Sequence, residues 1–330
     1  MSARVGRSTP ADALARSPTA RIAVDLLGGD SAPAVVVDGV LHACRADPDL
    51  QLLLVGPPEV ADEVIGALPD ADRDRVAVRP VYGVVGMADG PLRFRRRDTT
   101  VWAAVAAVAE GAADALISAG ATGGTVTAAA LGFGRWPKVR RPALAATLPG
   151  VAGPVVLLDV GASLEVGPRS LARHAALGAA FAAVVHGIRA PRVGLLSIGV
   201  EQGKGDRLRK AADPMLAAAK LPCGARYVGL VEGYDVAHGG RADVIVTDGF
   251  TGNVLLKGIE GAYLVAGIAS RADTPRAAVL LGVAGIAVVC HGAATAEDFA
   301  SGITFAAQLH RTAGITRISE MLTVVDEVTG

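Results

Sequence analysis

Three glycine-rich segments of the 330-residue chain carry the side chains best suited to binding an anion. They are Ser118–Gly124, Gly199–Gly205 and Asp248–Val254, and each follows a short apolar run. Glycines leave backbone N–H groups open to a ligand, and nearby hydroxyl and lysine side chains add donors. The donors in or beside these segments are Ser118, Thr122, Lys204, Thr251 and Lys257. The pattern predicts a cleft that binds a phosphate-like anion.

Each segment taken singly also fits an ordinary tight turn, which glycine favours for conformational reasons alone. Because three such segments carry polar companions, we expect them to meet at one edge of a sheet and form an anion site. His291 belongs with them, since it follows an apolar run and precedes Gly292. A basic run, Arg93–Arg97, is either a solvated surface or an arm that reaches toward phosphate.

Other phosphate-binding and catalytic motifs are missing from the sequence. Gly199–Gly205 is one residue short of a nucleotide P-loop and ends in glycine where that motif has Ser or Thr. No G-x-G-x-x-G follows the first strand, no G-x-S-x-G elbow is present, and no His, Asp and Cys residues have metal-ligand spacing. We therefore predict no metal, no cofactor and no serine nucleophile.

The elements that must position these residues alternate between short β-branched runs and alanine-rich helical stretches. Predicted strands are Ile22–Leu27, Leu52–Val55, Ala115–Ser118, Val155–Leu158, Val193–Ile198 and Val244–Thr247, and a helix runs from Pro33 to about Arg45. Apolar strands that end in glycine-rich turns before helices indicate an α/β fold, with a largely parallel sheet covered on both faces. Ligands of such sheets bind where strands end and helices begin.

Composition narrows the function further. The 32 Lys and Arg balance the 32 Asp and Glu, which argues against a nucleic-acid partner, and 51% apolar residues argue against a disordered chain. Three separated cysteines, Cys44, Cys223 and Cys290, indicate reduced thiols in a cytoplasmic protein. The apolar run Ala277–Cys290 is too short to cross a bilayer. Residues 1–20 read as a disordered tail, and residues 21–330 as a single domain with room for two lobes around a cleft.

An ordered set of motifs resembles the PlsX family, the phosphate:acyl-acyl-carrier-protein acyltransferases of bacterial phospholipid synthesis. The resemblance covers about residues 21–310. Its main motifs are L-G-G-D-x-x-P (Leu27–Pro33), S-A-G-A-T-G (Ser118–Gly123), L-L-D-V-G-A (Leu157–Ala162), V-E-G-Y-D (Val231–Asp235), D-G-F-T-G-N-V-L-L-K (Asp248–Lys257) and H-G (His291–Gly292). It implies a three-layer α/β/α fold like that of isocitrate and isopropylmalate dehydrogenases. It also implies a homodimer that transfers the acyl group of an acylated carrier protein (acyl-ACP) or of acyl-CoA to inorganic phosphate. The products are acyl phosphate and the free carrier.

The residues suit that chemistry, because phosphate is already a nucleophile and must mainly be held beside a thioester carbonyl. We assign catalytic roles to Asp248, Asn253, Lys257, His291 and Lys204. Asn253 and His291 are candidate donors to the tetrahedral oxyanion, and Asp248 or Asp30 is a candidate to orient a cationic donor or accept a proton. The predicted substrate-binding residues are Gly29, Asp30, Ser118, Gly120, Thr122, Gly123, Glu201, Gly249, Thr251 and Gly252.

Several positions depart from the family pattern. Ala121 stands where the family has Asn, and Tyr234 where it has Arg, while Gly199–Gly205 has lost a carboxylate. Between Gly261 and Leu280 the family has a long helical hairpin associated with membrane contact, and this chain keeps only Ala262–Val279 there. We therefore expect no stable membrane binding and a specialised acyl pathway.

Three alternatives stay open at this point. A degenerate relative would only bind carrier protein or a partner enzyme, and a retuned enzyme would use an acceptor other than phosphate. A dehydrogenase of the related fold is a weaker third alternative, since neither its metal-binding carboxylates nor its nucleotide motif is present.

Overall fold

The computed structural model describes residues 19–266 and 276–329. The predicted tail over residues 1–20 lies almost wholly outside the described residues, as does half of the shortened segment Ala262–Val279. Within the described residues, no helix combines the length and the hydropathy needed to cross a membrane.

The strands of the sheet are short and mostly buried. They are β1 (Ala20–Asp25), β2 (Leu50–Gly56), β3 (Val76–Pro80), β4 (Ala115–Ser118), β5 (Ala143–Gly150), β6 (Gly153–Leu158), β7 (Arg192–Leu196), β8 (Arg226–Val231), β9 (Val244–Val246), β10 (Ala277–Leu281) and β11 (Ile286–Cys290). The apolar run Ala277–Cys290 thus forms two antiparallel strands, β10 and β11.

The helices connect these strands and cover both faces of the sheet. They are α1 (Ala34–Ala46), α2 (Pro58–Ala67), α3 (Asp70–Arg73), α4 (Thr100–Ala109), α5 (Thr122–Gly132), α6 (Pro168–His186), α7 (Arg207–Ala218), α8 (Gly233–His238), α9 (Gly249–Val265), α10 (Ala296–Arg311) and α11 (Gly314–Thr329).

Alternate residues of each strand point to opposite sides of the sheet and enter two separate apolar cores. Ile22 and Val24 of β1 pack in the core beneath α1, α6 and α10, whereas Ala23 packs in the core beneath α4, α5 and α9. This arrangement confirms the predicted three-layer α/β/α fold.

The sheet consists of two parallel blocks that run in opposite directions. Over residues 19–266 and 276–329 it has 11 strands, in the order β3-β2-β1-β4-β11-β10-β5-β6-β9-β7-β8. Strands β3, β2, β1, β4 and β11 are mutually parallel, and so are β6, β9, β7 and β8. The pairs β11–β10, β10–β5 and β5–β6 are antiparallel, which reverses the second block relative to the first.

The reversal overturns the expectation that the three glycine-rich turns share one sheet edge. The turn after β4 leaves the sheet in one direction, and the turns after β7 and β9 leave it in the opposite direction. Register nevertheless keeps the strand ends close. One row of paired residues crosses the sheet from the end of β4 to the ends of β6 and β9: Ile117, Val288, Val279, Ala145, Leu158 and Val246. The carboxyl ends of β4, in the first block, and of β6 and β9, in the second, therefore lie on the same row across the sheet.

Candidate active site

The turn between β4 and α5 is held by a buried acid on the neighbouring strand. The Ser118 hydroxyl donates to Oδ2 of Asp25 at 2.7 Å and accepts from the Gly120 N–H at 3.0 Å. Burial raises the pKa of Asp25, and hydrogen bonds such as that of Ser118 partly oppose the rise. A Cβ on Gly28 would lie 2.7 Å from the Gly120 nitrogen, so glycine is needed for this approach. The turn after β1, which contains Gly28, and the turn after β4, which contains Gly120, are thus packed directly together.

The turn after β1 is also joined to the end of β11. The Asp30 N–H donates to the Gly292 carbonyl at 2.9 Å, which places Asp30 beside His291. His291 is exposed, and its Nδ1 accepts from the Ala293 N–H at 3.2 Å. Because Nδ1 is an acceptor here, the neutral ring carries its proton on Nε2, which is then free to donate.

The turn that begins α9 is held by an ion pair. Asp248 accepts from the Thr251 N–H and hydroxyl, both at 2.9 Å, and from the Arg209 guanidinium. Arg209 is 6% exposed and also donates to the Thr247 hydroxyl at 2.6 Å. Although burial raises the pKa of Asp248, the bonds from Thr251 and Arg209 lower it on balance. Asp248 is therefore an anion that caps α9 and positions a cation.

A second buried acid, Asp159, organises the turn after β6. Its carboxylate accepts four backbone N–H bonds of 2.7–3.0 Å, from Leu144, Gly161, Ala162 and Ser163. Burial outweighs these bonds and raises the pKa of Asp159 to about 6. The start of α9 rests on this turn, since a Cβ on Gly249 would lie 3.0 Å from Asp159 Oδ2.

The turns from the two blocks meet at Gly161. A Cβ built on Gly161 would lie 3.2 Å from Nδ2 of Asn253 and 3.8 Å from Cγ2 of Thr122. Asn253 Nδ2 donates one proton to the Val160 carbonyl at 3.0 Å, which leaves its second amide proton for another acceptor. The first turns of α5 and α9 thus meet at Gly161, with the Asn253 amide and the Thr122 methyl group closest to it.

The face of α9 that carries Asn253 also carries two charged residues. Lys257 and Glu260 follow Asn253 at spacings of four and three residues, which keeps all three on one side of the helix. Surrounding protein raises the pKa of Glu260, and the charges of His291 and Lys257 act against the rise. This electrostatic interaction indicates that His291, from the first block, lies on the side of α9 that carries Glu260, in the second block.

The third predicted segment, Gly199–Gly205, lies apart from this junction. Lys204 and Glu201 are exposed, and the Lys204 N–H donates to the Glu201 carbonyl at 3.1 Å within the turn. Its link to the site is Arg209, because a Cβ on Gly205 would lie 2.7 Å from Arg209 Cβ. The structure therefore brings Gly205, the residue after Lys204, against Arg209 of the Asp248 ion pair, and no described contact joins Lys204 to Gly161.

Ser118 and Ala121, in the predicted turn after β4, are both buried. Ser118 is fully buried and its hydroxyl is occupied by Asp25 and Gly120, so it positions the turn and has no free hydroxyl for a ligand. Ala121 is 7% exposed, packs in the apolar core beneath α5, and occupies the N-cap position of that helix without a side-chain cap. An asparagine there would be placed to cap α5.

The sequence interpretation missed three residues that hold the site together: Asp25, Asp159 and Arg209. An acid that directly ends an apolar strand, as in Val24-Asp25 and Leu158-Asp159, is a signal that could have found the first two. Arg209 gives no comparable signal, because its partner Asp248 is distant in sequence. In the described residues, no group of three or more His, Cys, Asp or Glu side chains is arranged to hold a metal ion.

Comparison with known proteins gives close relatives in sequence. The profile of the family described as "Fatty acid synthesis protein" matches residues 20–276. A phosphate acyltransferase of Heliobacterium modesticaldum is 39% identical over 318 residues, which cover 87% of this chain and 93% of that protein.

Solved structures share the fold at much lower identity. A phosphotransacetylase from Streptococcus pyogenes superposes with a TM-score of 0.60 at 18% identity, covering 90% of this chain and 95% of its own. A 4-hydroxythreonine-4-phosphate dehydrogenase from Klebsiella pneumoniae gives a TM-score of 0.53 at 15% identity, covering 89% and 98%. Both support the three-layer α/β architecture.

Proposed function

This chain belongs to the PlsX family of fatty acid synthesis proteins, and we propose that it transfers an acyl group from a thioester to inorganic phosphate. The products are an acyl phosphate and a free thiol. The observation that carries the proposal is the meeting of the first turns of α5 and α9 at Gly161, with Thr122 and Asn253 on either side. Two helix N-termini aimed at one cleft favour a multiply charged anion.

Phosphate binding falls to the backbone N–H groups at these helix starts, together with Thr122, Thr251 and Lys257. Glycines at 120, 123, 249 and 252 allow neighbouring groups to pack closely on these turns; a Cβ on Gly249, for example, would lie 2.6 Å from the Ser163 carbonyl oxygen. Lys257 adds a positive charge one turn further along α9. The Asp248 carboxylate is already committed to Arg209 and Thr251, so it positions the turn and the cation and does not accept the phosphate proton.

The transfer step needs a donor for the oxyanion that forms when a phosphate oxygen attacks the thioester carbonyl. The free amide proton of Asn253 and the Nε2 proton of His291 are the groups we assign to it. The C–S bond then breaks, and the sulfur leaves as a thiolate whose pKa is about 8.5 on the cysteine scale. That value is low enough for departure without an obligatory acid, and no covalent enzyme intermediate is required.

Several finer features belong to the same proposal. We propose an acyl-carrier protein as the donor, a homodimer as the working form, the cytoplasm as the location and a specialised acyl pathway as the setting. Residues 21–330 act as one catalytic domain, in which the two strand blocks flank the cleft.

The test is a panel of acyl-carrier-protein and acyl-CoA thioesters with and without inorganic phosphate. Hydroxylamine trapping reports acyl phosphate, and a thiol reagent reports the released carrier. We expect phosphate-dependent release of thiol and an equal amount of trapped acyl group, with both reduced at least tenfold in Asn253→Ala. Carrier binding without turnover in the whole panel would contradict the proposal and favour a non-enzymatic binding protein.

A further inference from the structure

A basic segment lies on the surface beside the cleft and takes no part in the chemistry described above. Residues 86–98, here called the basic platform, contain four arginines and two aspartates. The arginines are Arg93, Arg95, Arg96 and Arg97. This local excess of positive charge stands out in a chain whose formal net charge is zero.

The basic platform is fixed to the body of the protein. The Phe94 ring covers the start of α5, because a Cβ on Gly123 would lie 2.6 Å from Phe94 Cε2. The Trp102 indole N–H donates to the Phe94 carbonyl at 2.9 Å, and the Gly86 N–H donates to Asp89 at 2.9 Å. The exposed side chains of the platform therefore keep a defined position relative to α5.

That position is the rim of the cleft. Gly123 belongs to the turn that faces Asn253, and Phe94 lies directly on it. On the other side, the methyl carbon of Met87 lies 2.9 Å from a Cβ built on Gly292, next to His291. The platform thus borders both groups of the first block that face the proposed reaction centre.

The outer surface of the platform combines an apolar side chain with available cations. Leu92 is 89% exposed and is one of residues 88–93, which line a depression of about 440 Å³. Arg93 pairs with Asp89 at 3.3 Å and Arg96 with Asp98 at 2.6 Å, and both arginine side chains are at least half exposed. Exposed ion pairs of this kind contribute about 0–1 kcal/mol, so these arginines can exchange partners at little cost.

We propose that the basic platform docks an acidic protein surface that carries the acyl group as a tethered thioester. This inference rests on the proposed function, because it places the donor beside the cleft that consumes the thioester. Arginines at the rim attract an acidic partner and set its orientation, and Leu92 supplies an apolar contact. Recruitment of a bilayer usually needs a cluster of about four to eight uncompensated basic residues, which the two aspartates deny this segment.

The experiment compares two donors that differ only in the carrier. One is decanoyl-acyl-carrier protein and the other is S-decanoyl-pantetheine, each assayed with saturating phosphate. The variants are Arg95→Glu and Leu92→Ala, and the matched control is Arg189→Glu, an exposed arginine in the loop between α6 and β7. We expect Arg95→Glu to raise KM for the protein donor at least fivefold, Leu92→Ala to raise it two- to fivefold, and neither to change kinetics with S-decanoyl-pantetheine more than twofold.

The outcomes separate this inference from the proposed function. Unchanged KM for the protein donor in both variants, or an equal rise in Arg189→Glu, would overturn the docking site while wild-type turnover upholds the function. If the wild type fails with both donors, fluorescence anisotropy of labelled decanoyl-carrier protein still tests docking, and weaker binding in Arg95→Glu alone supports it. If Arg95→Glu loses the wild type's binding to anionic phosphatidylglycerol vesicles while its binding to the carrier protein is unchanged, the docking proposal is overturned in favour of a lipid surface.

Discussion

The glycine-rich turns that begin α5 and α9 do the same structural task with different electrostatics. In the α5 turn, Asp25 holds Ser118, which holds Gly120, and the described contacts of that acid are with hydroxyl and amide groups. In the α9 turn, Asp248 holds Thr251 and is neutralised by the buried cation Arg209. The pKa is raised in the first acid by its burial. In the second, burial also acts upward but the hydrogen bonds lower the pKa overall.

This difference teaches how each half of the cleft depends on its acid. Making a buried carboxyl neutral costs little folding stability when no cation is paired with it. Removing one partner of a buried ion pair is strongly destabilising, because it leaves the other charge buried and uncompensated. The α9 turn should therefore be the more fragile of the two, and the α5 turn the more tolerant.

Removal of the cation should have the largest effect. Arg209→Met leaves the Asp248 carboxylate buried without its partner, and we expect the free energy of unfolding in urea to fall by about 3–5 kcal/mol. The control is Arg207→Met, an exposed position on the same helix, which should change stability by less than about 0.5 kcal/mol. Equal losses in the two variants would contradict the importance assigned to the ion pair.

The third acid, Asp159, sharpens the comparison through its titration. It resembles Asp25 in lacking a cation among its described contacts, and its pKa is raised to about 6, whereas that of Asp248 is below 3.8. A raised folded-state pKa gives stability that is fully present below the unfolded value of 3.8 and is lost as pH rises through about 6. The difference between the unfolded pKa of 3.8 and the folded pKa of about 6 corresponds to about 3 kcal/mol of unfolding free energy.

Carbon-13 NMR of aspartate carboxyls measures both values directly. We expect the Asp159 resonance to titrate near pH 6 and the Asp248 resonance to titrate below 3.8. A midpoint at or below 3.8 for Asp159 would show that its four backbone hydrogen bonds outweigh burial. Asp159 and Asp248 would then both be ionised at neutral pH with pKa values that are not raised, and the proposed contrast between them would be lost.

How much of this could be predicted from the sequence depends on the range of the interactions involved. The buried strands β1, β2, β4, β6, β7 and β9 were predictable, because each is an apolar run that ends at glycine or aspartate. Strand β3 could not be predicted in this way, because its residues are partly exposed and do not form a buried apolar run. The reversal of the second block depends on how β10, β5 and β6 pair, which no local pattern encodes.

The candidate site divides in the same way. The turns of Thr122 and Asn253 were predictable from glycine spacing, but their meeting at Gly161 requires the register across the whole sheet. Ser118 was predicted as a ligand because hydroxyls in such turns often face anions, and the structure instead gives its hydroxyl to Asp25. His174, within the alanine-rich helix α6, is fully buried, and burial lowers its pKa to about 4.

Neutralisation of the acid in the α5 turn should cost less than loss of Arg209. Asp25→Asn keeps one carbonyl oxygen that can accept from Ser118 and loses about one hydrogen bond, or about 1 kcal/mol of unfolding free energy. Urea unfolding at pH 7 measures it alongside Arg209→Met. A loss as large as that of Arg209→Met would erase the distinction between the two turns.

The smallest effect is expected at the uncapped start of α5. Ala121→Asn places an amide oxygen where it can accept from an N–H of the first turn, and such caps stabilise by about 0.5–2 kcal/mol. We expect a gain at the low end of that range, because the site is 93% buried in apolar surroundings and the added amide must be desolvated. A thermal melt decides it, and a lower melting temperature would show that the pocket cannot accept the side chain.

The central claim is that turns from two opposed strand blocks form one phosphate-binding cleft, and a double-mutant cycle tests it most directly. The variants are Thr122→Val, Asn253→Ala and the pair, with kcat/KM for phosphate measured at a fixed acyl thioester. If both side chains act on one bound ligand, their losses should be non-additive, with a coupling energy of about 0.5–3 kcal/mol. Additive losses within about 0.5 kcal/mol would place Thr122 and Asn253 in independent sites and contradict the account.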